Sequence, residues 1–312
     1  MSTPLITPNS SAIINRIAEL EKQIGNTPLF RIRNYHKNPN VKIYAKAEWQ
    51  QLSGSIKARA AFNIIRSALL SGELHDGKIL LDASSGNTGI AYATIAKELG
   101  LKVTICLPEN ASPQRKTVLI SLGAEIIYTS RFGGTDDAQE VAAELAAKFS
   151  DKYFYASQYT NDANWKAHYN GTAIEILDQR PDITHFVAGL GTTGTFIGTG
   201  RRLKERKKDI RLVALQPDLA LHGLEGWKHL ETAIVPKFYD ETLAHEFLEI
   251  GTEESYDLIR QAYLKDGLKL SPSSAANLAG AIRTANVIDR GVIVTVLPDN
   301  WDKYSEVKNQ IF

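Results

Sequence analysis

Three short segments of the sequence combine Gly with Ser or Thr, whose backbone amides and hydroxyl groups can bind anions. They are residues 53–57 (SGSIK), 84–89 (SSGNTG) and 189–195 (GLGTTGT). Each is predicted to precede a helix, so its amides would point towards a bound group. Because ligands of open parallel sheets bind at the carboxyl ends of the strands, the three turns together predict one anion-binding cleft.

The first turn ends in Lys57, which is the candidate nucleophile. A lysine at the start of a helix faces the positive end of the helix dipole, which disfavours its charged form. From this turn alone, an ordinary surface lysine in solvent is the more common interpretation. A lysine inside a cleft would instead have a depressed pKa and could form a Schiff base.

The other two turns point to anion binding to different degrees. Residues 84–89 fit either an ordinary helix cap or a site for an anion such as a carboxylate, and this segment alone does not separate the two. Residues 189–195 are all Gly or Thr except Leu190, which is typical of a phosphate cradle. Their glycine spacing differs from the dinucleotide fingerprint, and no acidic residue ends the next strand, so an NAD-dependent dehydrogenase is disfavoured.

The elements that position these turns follow from an alternation of short apolar runs with longer runs of helical spacing. Strands are predicted at residues 41–48, 78–83, 102–107, 124–129, 184–188, 211–215 and 292–297. Helices are predicted at residues 87–99, 113–123, 135–149, 164–177, 195–207, 253–265 and 274–285, and one more ends near Gly72. This alternation predicts an α/β protein with open, twisted parallel sheets and helices on both faces.

The chain is long enough for two domains. A polar break at residues 153–161 marks the expected boundary, and residues 216–240 have no regular pattern. We therefore expect a smaller N-terminal domain at residues 45–155. Residues 12–44 and 156–312 would form the larger domain.

Composition excludes several classes of function. The 312 residues contain 36 Lys and Arg against 35 Asp and Glu, a net charge of +1, so neither nucleic acid nor a membrane surface is an expected partner. The single cysteine, Cys106, cannot form an internal disulfide, and the seven histidines show no metal-binding spacing. The sequence has no apolar run of membrane-spanning length and no signal peptide, from which we expect a cytoplasmic protein.

Four motifs in a fixed order resemble a known family. They are residues 25–29 (GNTPL), 54–57 (GSIK), 85–89 (SGNTG) and 189–195, and they resemble the cysteine synthase (O-acetylserine sulfhydrylase) family. Its members are pyridoxal-phosphate enzymes of fold type II, whose architecture is like that of the tryptophan synthase β subunit. The resemblance extends from about residue 25 to about residue 298, and the runs 183–195 and 132–138 look most like the B-type branch.

The resemblance implies a role for each matching residue, with pyridoxal 5′-phosphate as the cofactor. Lys57 would be the Schiff-base lysine, Asn87 would bond the 3-hydroxyl oxygen of the cofactor, and Ser273 would meet its pyridine nitrogen. The cofactor phosphate would be held in the larger domain by Gly191, Thr192, Thr193, Gly194 and Thr195. The carboxylate of the substrate would be held by Ser84, Ser85, Asn87, Thr88 and Gln158.

The reaction implied by the family is a β-replacement. O-acetylserine (or O-phosphoserine) would lose its leaving group to give an aminoacrylate intermediate, and sulfide would add to give L-cysteine. The same motifs also fit cystathionine β-synthase, β-cyanoalanine synthase, diaminopropionate synthase and serine dehydratase. A non-catalytic regulatory homologue is a further alternative, which retention of Lys57 disfavours. Family members suggest a homodimer.

Four positions depart from the family pattern, one of them Gln216, which stands before Pro217 in place of the usual Glu. Ala58 follows the lysine where Asp is usual, and Ala275 stands where Gly is common, which places local packing in question rather than chemistry. Asp218 stands where relatives that use phosphoserine tend to carry Arg. An anion beside a dianionic leaving group is unfavourable, so this residue favours O-acetylserine as the donor.

Overall fold

The computed structural model describes residues 8–311, and the strands of that range form two separate sheets. The strands are β1 (Leu29–Ile32), β2 (Val41–Ala47), β3 (Ile79–Ala83), β4 (Val103–Pro108), β5 (Glu125–Thr129), β6 (Tyr153–Tyr155), β7 (His185–Gly189), β8 (Arg211–Pro217), β9 (Glu246–Ile250) and β10 (Gly291–Leu297). One sheet has the order β5-β4-β3-β6, and the other has the order β1-β2-β10-β7-β8-β9.

Both sheets are parallel, except where β1 pairs antiparallel with β2 at one edge. Parallel pairing requires crossover connections, and helices supply most of them. The helices are α1 (Pro8–Glu21), α2 (Lys57–Ser71), α3 (Asn87–Leu99), α4 (Pro113–Ser121), α5 (Gly134–Lys148), α6 (Ala163–Ala167), α7 (Ala173–Gln179), α8 (Gly194–Arg206), α9 (Thr252–Asp266), α10 (Pro272–Val287) and α11 (Ser305–Ile311). The predicted α/β fold class is confirmed.

Several local predictions are also confirmed by how the helices begin. Ser112 caps α4 by accepting a hydrogen bond from the amide of Arg115, and Pro113 occupies the first turn, where its missing amide costs nothing. Ser271 caps α10 in the same way. Ala275 lies inside α10, in ordinary helical backbone, so the loss of the glycine that is common there causes no strain.

The sequence-based prediction missed three short edge strands and one irregular helix turn. Residues 153–155, taken as part of a polar break, form β6, and neither β1 nor β9 was predicted. The helix predicted over residues 164–177 is interrupted by a π-helical turn at His168–Thr172 and continues to Gln179. Edge strands of three to five residues are too short for the alternation of apolar and polar residues to be distinctive.

Separate apolar cores stabilise the two sheets. Side chains of α2 and α3, such as Ile65 and Ile95, pack on the four-stranded sheet. The six-stranded sheet is covered on both faces. All of the four-stranded sheet lies inside the predicted domain 45–155, whereas β2 crosses residue 45, so the exact division into domains stays a prediction. Within residues 8–311, no helix is both long enough and apolar enough to span a membrane.

Candidate active site

The carboxyl ends of both sheets face one cavity of about 260 Å³. It is lined from the smaller sheet by the turn between β3 and α3, and from the larger sheet by the turn between β7 and α8. A recess of about 40 Å³ adjoins it and extends towards Ser273 and Thr195. Lys57 lines both spaces, so the structure brings all three predicted turns together at one site.

Lys57 begins α2 directly after a tightly turned segment. Ser53 and Gly54 both have left-handed backbone, with φ angles of 64° and 63°, and the amide of Ile56 donates to the carbonyl of Pro298 at 2.8 Å. Lys57 is half-buried as a residue, and its amine has no hydrogen bond or ion pair with any residue in the described range. Burial lowers its pKa, while the nearby charge of Asp299 opposes that shift. These surroundings favour a reactive amine over a solvated surface lysine.

The threonine-rich turn has the form of an anion cradle. Thr193 adopts a left-handed conformation (φ 65°) just before α8, and its hydroxyl is buried with no hydrogen-bond partner in residues 8–311. A methyl group added at Gly191 would overlap the carbonyl oxygen of Gly226, and one at Gly194 would overlap the side chain of Asn164. The close approach of the Gly226 backbone at Gly191, and of the buried Asn164 side chain at Gly194, therefore favours glycine at both positions.

Ser273 and Asn277 close the far end of the recess. Ser273 lies in the first turn of α10, with its Oγ 3.3 Å from Oγ of Ser271. Asn277, one turn later, accepts a hydrogen bond from the amide of Gly189 at 2.8 Å. This bond ties α10 to the threonine-rich turn. The sequence analysis did not single out Asn277, since an asparagine within a helix carries no motif.

The turn at residues 84–89, the Ser-rich turn, has features of both a helix cap and an anion-binding site, the two interpretations that its sequence left open. Oγ of Ser84 accepts hydrogen bonds from the amides of Gly86 and Gly89 at 3.1 and 2.9 Å, so this hydroxyl serves as a cap. Thr88 donates from Oγ1 to Oε1 of Gln158 at 2.8 Å. Ser85 is half-buried and lines the cavity with Thr88 and Gln158. The predicted binding residues of this turn therefore lie together.

Beneath this turn lies Asp82, a residue that the sequence analysis missed. Its carboxylate is fully buried and accepts hydrogen bonds from the amides of Ala83, at 2.9 Å, and Gln158, at 3.1 Å. Burial raises the pKa of Asp82 to about 7, and the two backbone hydrogen bonds only partly oppose that shift. An acidic residue at the end of the apolar run ILLDA was the available signal.

The opposite wall of the cavity carries oppositely charged pairs. Arg115 forms an ion pair with Glu225, and Lys228 forms one with Asp136. His222 and His229 also line this wall. Asp218 does not line the cavity and lies instead on a neighbouring surface depression, so its charge is a weaker guide to the leaving group than the sequence suggested.

Comparison with known proteins identifies the family. The family described as pyridoxal-phosphate dependent enzyme matches residues 20–299. Cysteine synthase of Aquifex aeolicus is 42% identical over 291 residues, covering 91% of this chain and 89% of that protein. This chain belongs to the cysteine synthase family of pyridoxal-phosphate dependent enzymes.

Two further relatives refine the family assignment. Cysteine synthase B of Escherichia coli is 34% identical, covering 92% of this chain and 94% of that protein, which agrees with the predicted B-type resemblance. The crystal structure of O-acetylserine dependent cystathionine β-synthase from Helicobacter pylori superposes with a TM-score of 0.85. It is 31% identical, and the match covers 92% of this chain and 96% of that structure. The predicted enzyme class and cofactor are thereby confirmed.

The residues around Lys57 fit pyridoxal phosphate as the family cofactor. The unpartnered hydroxyl of Thr193 and the glycine cradle offer donors and space for a phosphate. The recess beside Lys57 ends at the hydroxyl of Ser273, a neutral group. Among residues 8–311, no group of three His, Cys, Asp or Glu side chains could hold a metal ion.

Proposed function

We propose that this protein forms L-cysteine from O-acetylserine and sulfide, using pyridoxal phosphate. The proposal rests on one observation. The amine of Lys57, which has no partner in residues 8–311, lies between the turn at residues 189–195, which could hold a phosphate, and the turn at residues 84–89, which could hold a carboxylate. A cofactor with a phosphate at one end and an amino acid at the other needs this arrangement. The two sheets supply its two halves.

The residues of the larger sheet and α10 would hold the cofactor. Its phosphate would lie in the cradle of Gly191, Thr192, Thr193, Gly194 and Thr195, and Lys57 would hold its reactive end. Ser273 would face the ring nitrogen, and Asn87 the 3-hydroxyl oxygen. When bound, the cofactor supplies an electron sink for the α-carbon of the amino acid. A hydroxyl such as that of Ser273 does not force protonation of the ring nitrogen, which favours loss of a β-substituent.

The turn after β3 would orient the amino-acid substrate. The amides at the start of α3 and the hydroxyl of Ser85 offer donors to its carboxylate, together with Gln158. Thr88 would join them once its hydroxyl turns from Oε1 of Gln158 to the substrate. Ser84 would act by shaping the turn, because its hydroxyl accepts hydrogen bonds from the amides of Gly86 and Gly89 and its own amide donates to the carbonyl of Cys106 at 3.1 Å. Asn87 would contact both substrate and cofactor, since it lines the cavity as well as the recess.

Lys57 would move the protons. Its Nζ, once released from the cofactor, would take the α-proton of the substrate and later return it to the α-carbon. A general base must be neutral before it accepts a proton, and burial lowers the pKa of Lys57 towards the working range.

The charges on the cavity wall favour a substrate whose β-substituent is an uncharged ester, which leaves as a monoanion, over one that carries a dianionic phosphate. Arg115 and Lys228 are both committed to acidic partners, Glu225 and Asp136. A dianionic phosphate leaving group would need one of these cations to abandon its partner, at a cost in free energy. An acetyl ester requires neither cation to leave its acidic partner. The two ion pairs therefore favour O-acetylserine over O-phosphoserine as the substrate.

The first test is cysteine formation by the purified protein loaded with pyridoxal phosphate. With O-acetylserine and sulfide, we expect cysteine and a visible absorption band from the bound cofactor. Lys57→Ala should abolish the band and lower kcat by at least about 10³-fold, since both covalent and base catalysis are lost. Lys97→Ala, which removes an exposed lysine at the end of α3, is the matched control and should leave both unchanged.

Absence of cysteine with every donor would contradict the proposal, as would an active Lys57→Ala variant. O-phosphoserine, offered in parallel, should react more slowly than O-acetylserine. A rate higher than that of O-acetylserine would contradict the argument from the paired cavity wall.

A second candidate is cystathionine formation from O-acetylserine and homocysteine. The likeness to the H. pylori enzyme, whose printed name describes this activity, favours it. The two candidates share every step before the nucleophile adds, so the residues above serve both. A competition assay with equal sulfide and homocysteine separates them by the ratio of products.

The assembly and cellular location are proposed from the family resemblance. We propose a homodimer in the cytoplasm. Light scattering of the purified protein would give the mass of the assembly, and a monomeric mass would overturn the first part. Cell fractionation tests the second.

A further inference from the structure

A lysine outside the cavity holds two parts of the active site together. Lys303 lies in a short helical turn, Trp301–Lys303, near the C-terminus. Its ammonium group donates to the carbonyls of Ser53 and Gly54, both at 3.2 Å, and to Oδ1 of Asn87 at 2.9 Å. An ammonium group has three donors, so all three are used. Lys303 does not line the cavity or its recess.

The first two acceptors belong to the strained turn before Lys57. Ser53 adopts a left-handed conformation that is unfavourable for any residue except glycine, and Gly54 continues it. Such a conformation persists only when surrounding contacts fix it. The two carbonyls that Lys303 binds are those of these two residues, so the ammonium group stabilises the turn that directs Lys57 into the cavity.

The third acceptor fixes which way the amide of Asn87 faces. With Oδ1 bound to Lys303, Nδ2 donates to Oδ2 of Asp299 at 2.8 Å and approaches the hydroxyl of Tyr304 at 3.3 Å. The Tyr304 hydroxyl in turn donates to the same oxygen of Asp299 at 2.7 Å. Oδ1 of Asp299 is buried and has no hydrogen-bond partner in residues 8–311. Reversing the amide would place an NH₂ group against the Lys303 ammonium.

We propose that Lys303 is a positioning residue for the reaction, which acts on the cofactor end of the site by orienting the Asn87 amide and the turn before Lys57. The inference rests on the proposed function, because it assumes that Asn87 contacts the cofactor. It adds a residue that touches neither cofactor nor substrate. Loss of Lys303 would free the Asn87 amide to rotate and would remove two hydrogen bonds from the Ser53–Gly54 turn.

The test is a double-variant cycle with Lys303→Met and Asn87→Ala, measured on the pyridoxal-phosphate enzyme with O-acetylserine and sulfide. Lys303→Met alone should lower kcat by roughly tenfold to a hundredfold, the usual effect of losing charge-assisted hydrogen bonds, with KM changed by less than about threefold. In the Asn87→Ala background the same change should have a clearly smaller logarithmic effect, because the oriented amide is already gone and only the two hydrogen bonds to the Ser53–Gly54 turn are left to lose.

A second measurement does not depend on turnover. The absorption maximum of the bound cofactor should shift in Lys303→Met in the same direction as in Asn87→Ala, since both variants lose the same oriented amide. Lys97→Met is the control: it removes an exposed lysine at the end of α3 and should leave spectrum and kcat unchanged. If Lys303→Met does not fold, Lys303→Gln replaces it in the same cycle.

Two results would overturn the inference while the proposed function stands: equal losses from Lys303→Met in both backgrounds, or an unchanged spectrum in an active enzyme. If the unmodified protein forms no cysteine at all, the proposed function fails instead. The two failures are therefore distinguishable.

Discussion

Buried polar groups on two sides of Lys57 differ in how completely they are paired. On one side, the ion cluster of Lys46, Glu48, Arg59 and Glu175 is internally neutral. Arg59 lies 2.7 Å from Glu48 and 2.6 Å from Glu175, and Lys46 lies 2.6 Å from Glu175. On the side of the cavity, Thr193 lines the recess and keeps a buried hydroxyl oxygen without a partner in residues 8–311.

The contrast separates residues that hold the fold from residues that await a ligand. Buried polar groups are normally satisfied, so a complete cluster is explained by folding alone. A buried polar group without a partner costs free energy in the folded protein, and a bound ligand that pairs with it can offset that cost. Variants on the two sides should therefore differ in kind: the ion cluster should control stability without ligand, and the cavity should control ligand affinity.

The largest effect is expected from Arg59→Met in the ion cluster. The change leaves two buried carboxylates with only Lys46 to compensate them, and breaking a buried ion pair costs about 3–5 kcal/mol. We expect the free energy of unfolding of the cofactor-free protein to fall by that amount, measured by urea denaturation.

Arg66→Met is the matched control on the same helix. Arg66 is 41% exposed and lies 3.6 Å from Glu21, so its loss should change the free energy of unfolding by less than about 0.5 kcal/mol. Equal effects of the two substitutions would contradict the prediction that the ion cluster controls the stability of the ligand-free protein.

The sequence predicted residues whose roles depend on their near neighbours in the chain. Lys57, Thr193 and the turn at 84–89 have local geometry set by glycines, caps and helix starts within a few positions, and the alternating elements gave the fold class. Their placement in one cavity agrees with the expectation, although their roles remain proposals.

Residues that act across long stretches of chain were missed. Asp299 and Lys303 meet Asn87, which the sequence did predict, from more than 200 positions away, and Arg59 meets Glu175 across 116. Nothing in a local run of sequence distinguishes these residues from ordinary surface charges. The edge strands β1 and β9 were missed for a related reason, because their pairing partners, not their own short patterns, decide that they are strands.

The pH dependence of stability offers a second test, through one carboxylate on each side. In the ion cluster, Arg59 and Lys46 overcome the effect of burial and lower the pKa of Glu175 to about 2. This stability is present above the ordinary pKa of glutamate and is lost as the pH falls towards 2. Asp82, beneath the cavity, has a pKa raised to about 7, so it contributes stability in acid that is lost as the pH rises from about 4 to about 7.

At 1.36 kcal/mol per pKa unit, Glu175 should contribute about 3 kcal/mol and Asp82 about 4 kcal/mol, each over its own pH range. Urea denaturation as a function of pH should show a flatter acid limb for Glu175→Gln and a flatter limb between about pH 5 and 7 for Asp82→Asn. If both variants flatten the same limb, the two sides do not differ in their electrostatics.

The smallest effect concerns the unpartnered hydroxyl of Thr193. Thr193→Val keeps the shape and the β-branched backbone preference of threonine but removes a buried oxygen that has no partner. The free energy of unfolding of the cofactor-free protein should stay the same or rise slightly, because no hydrogen bond is lost. The affinity for pyridoxal phosphate should fall by about tenfold, roughly the 1.4 kcal/mol expected for a hydrogen bond to a charged group.

Thr199→Val on α8 is the control, since its hydroxyl is also buried and unpartnered in the described chain but lies outside the cavity and recess. A loss of cofactor affinity in both variants would mean that an unpartnered hydroxyl in this region does not mark a ligand contact.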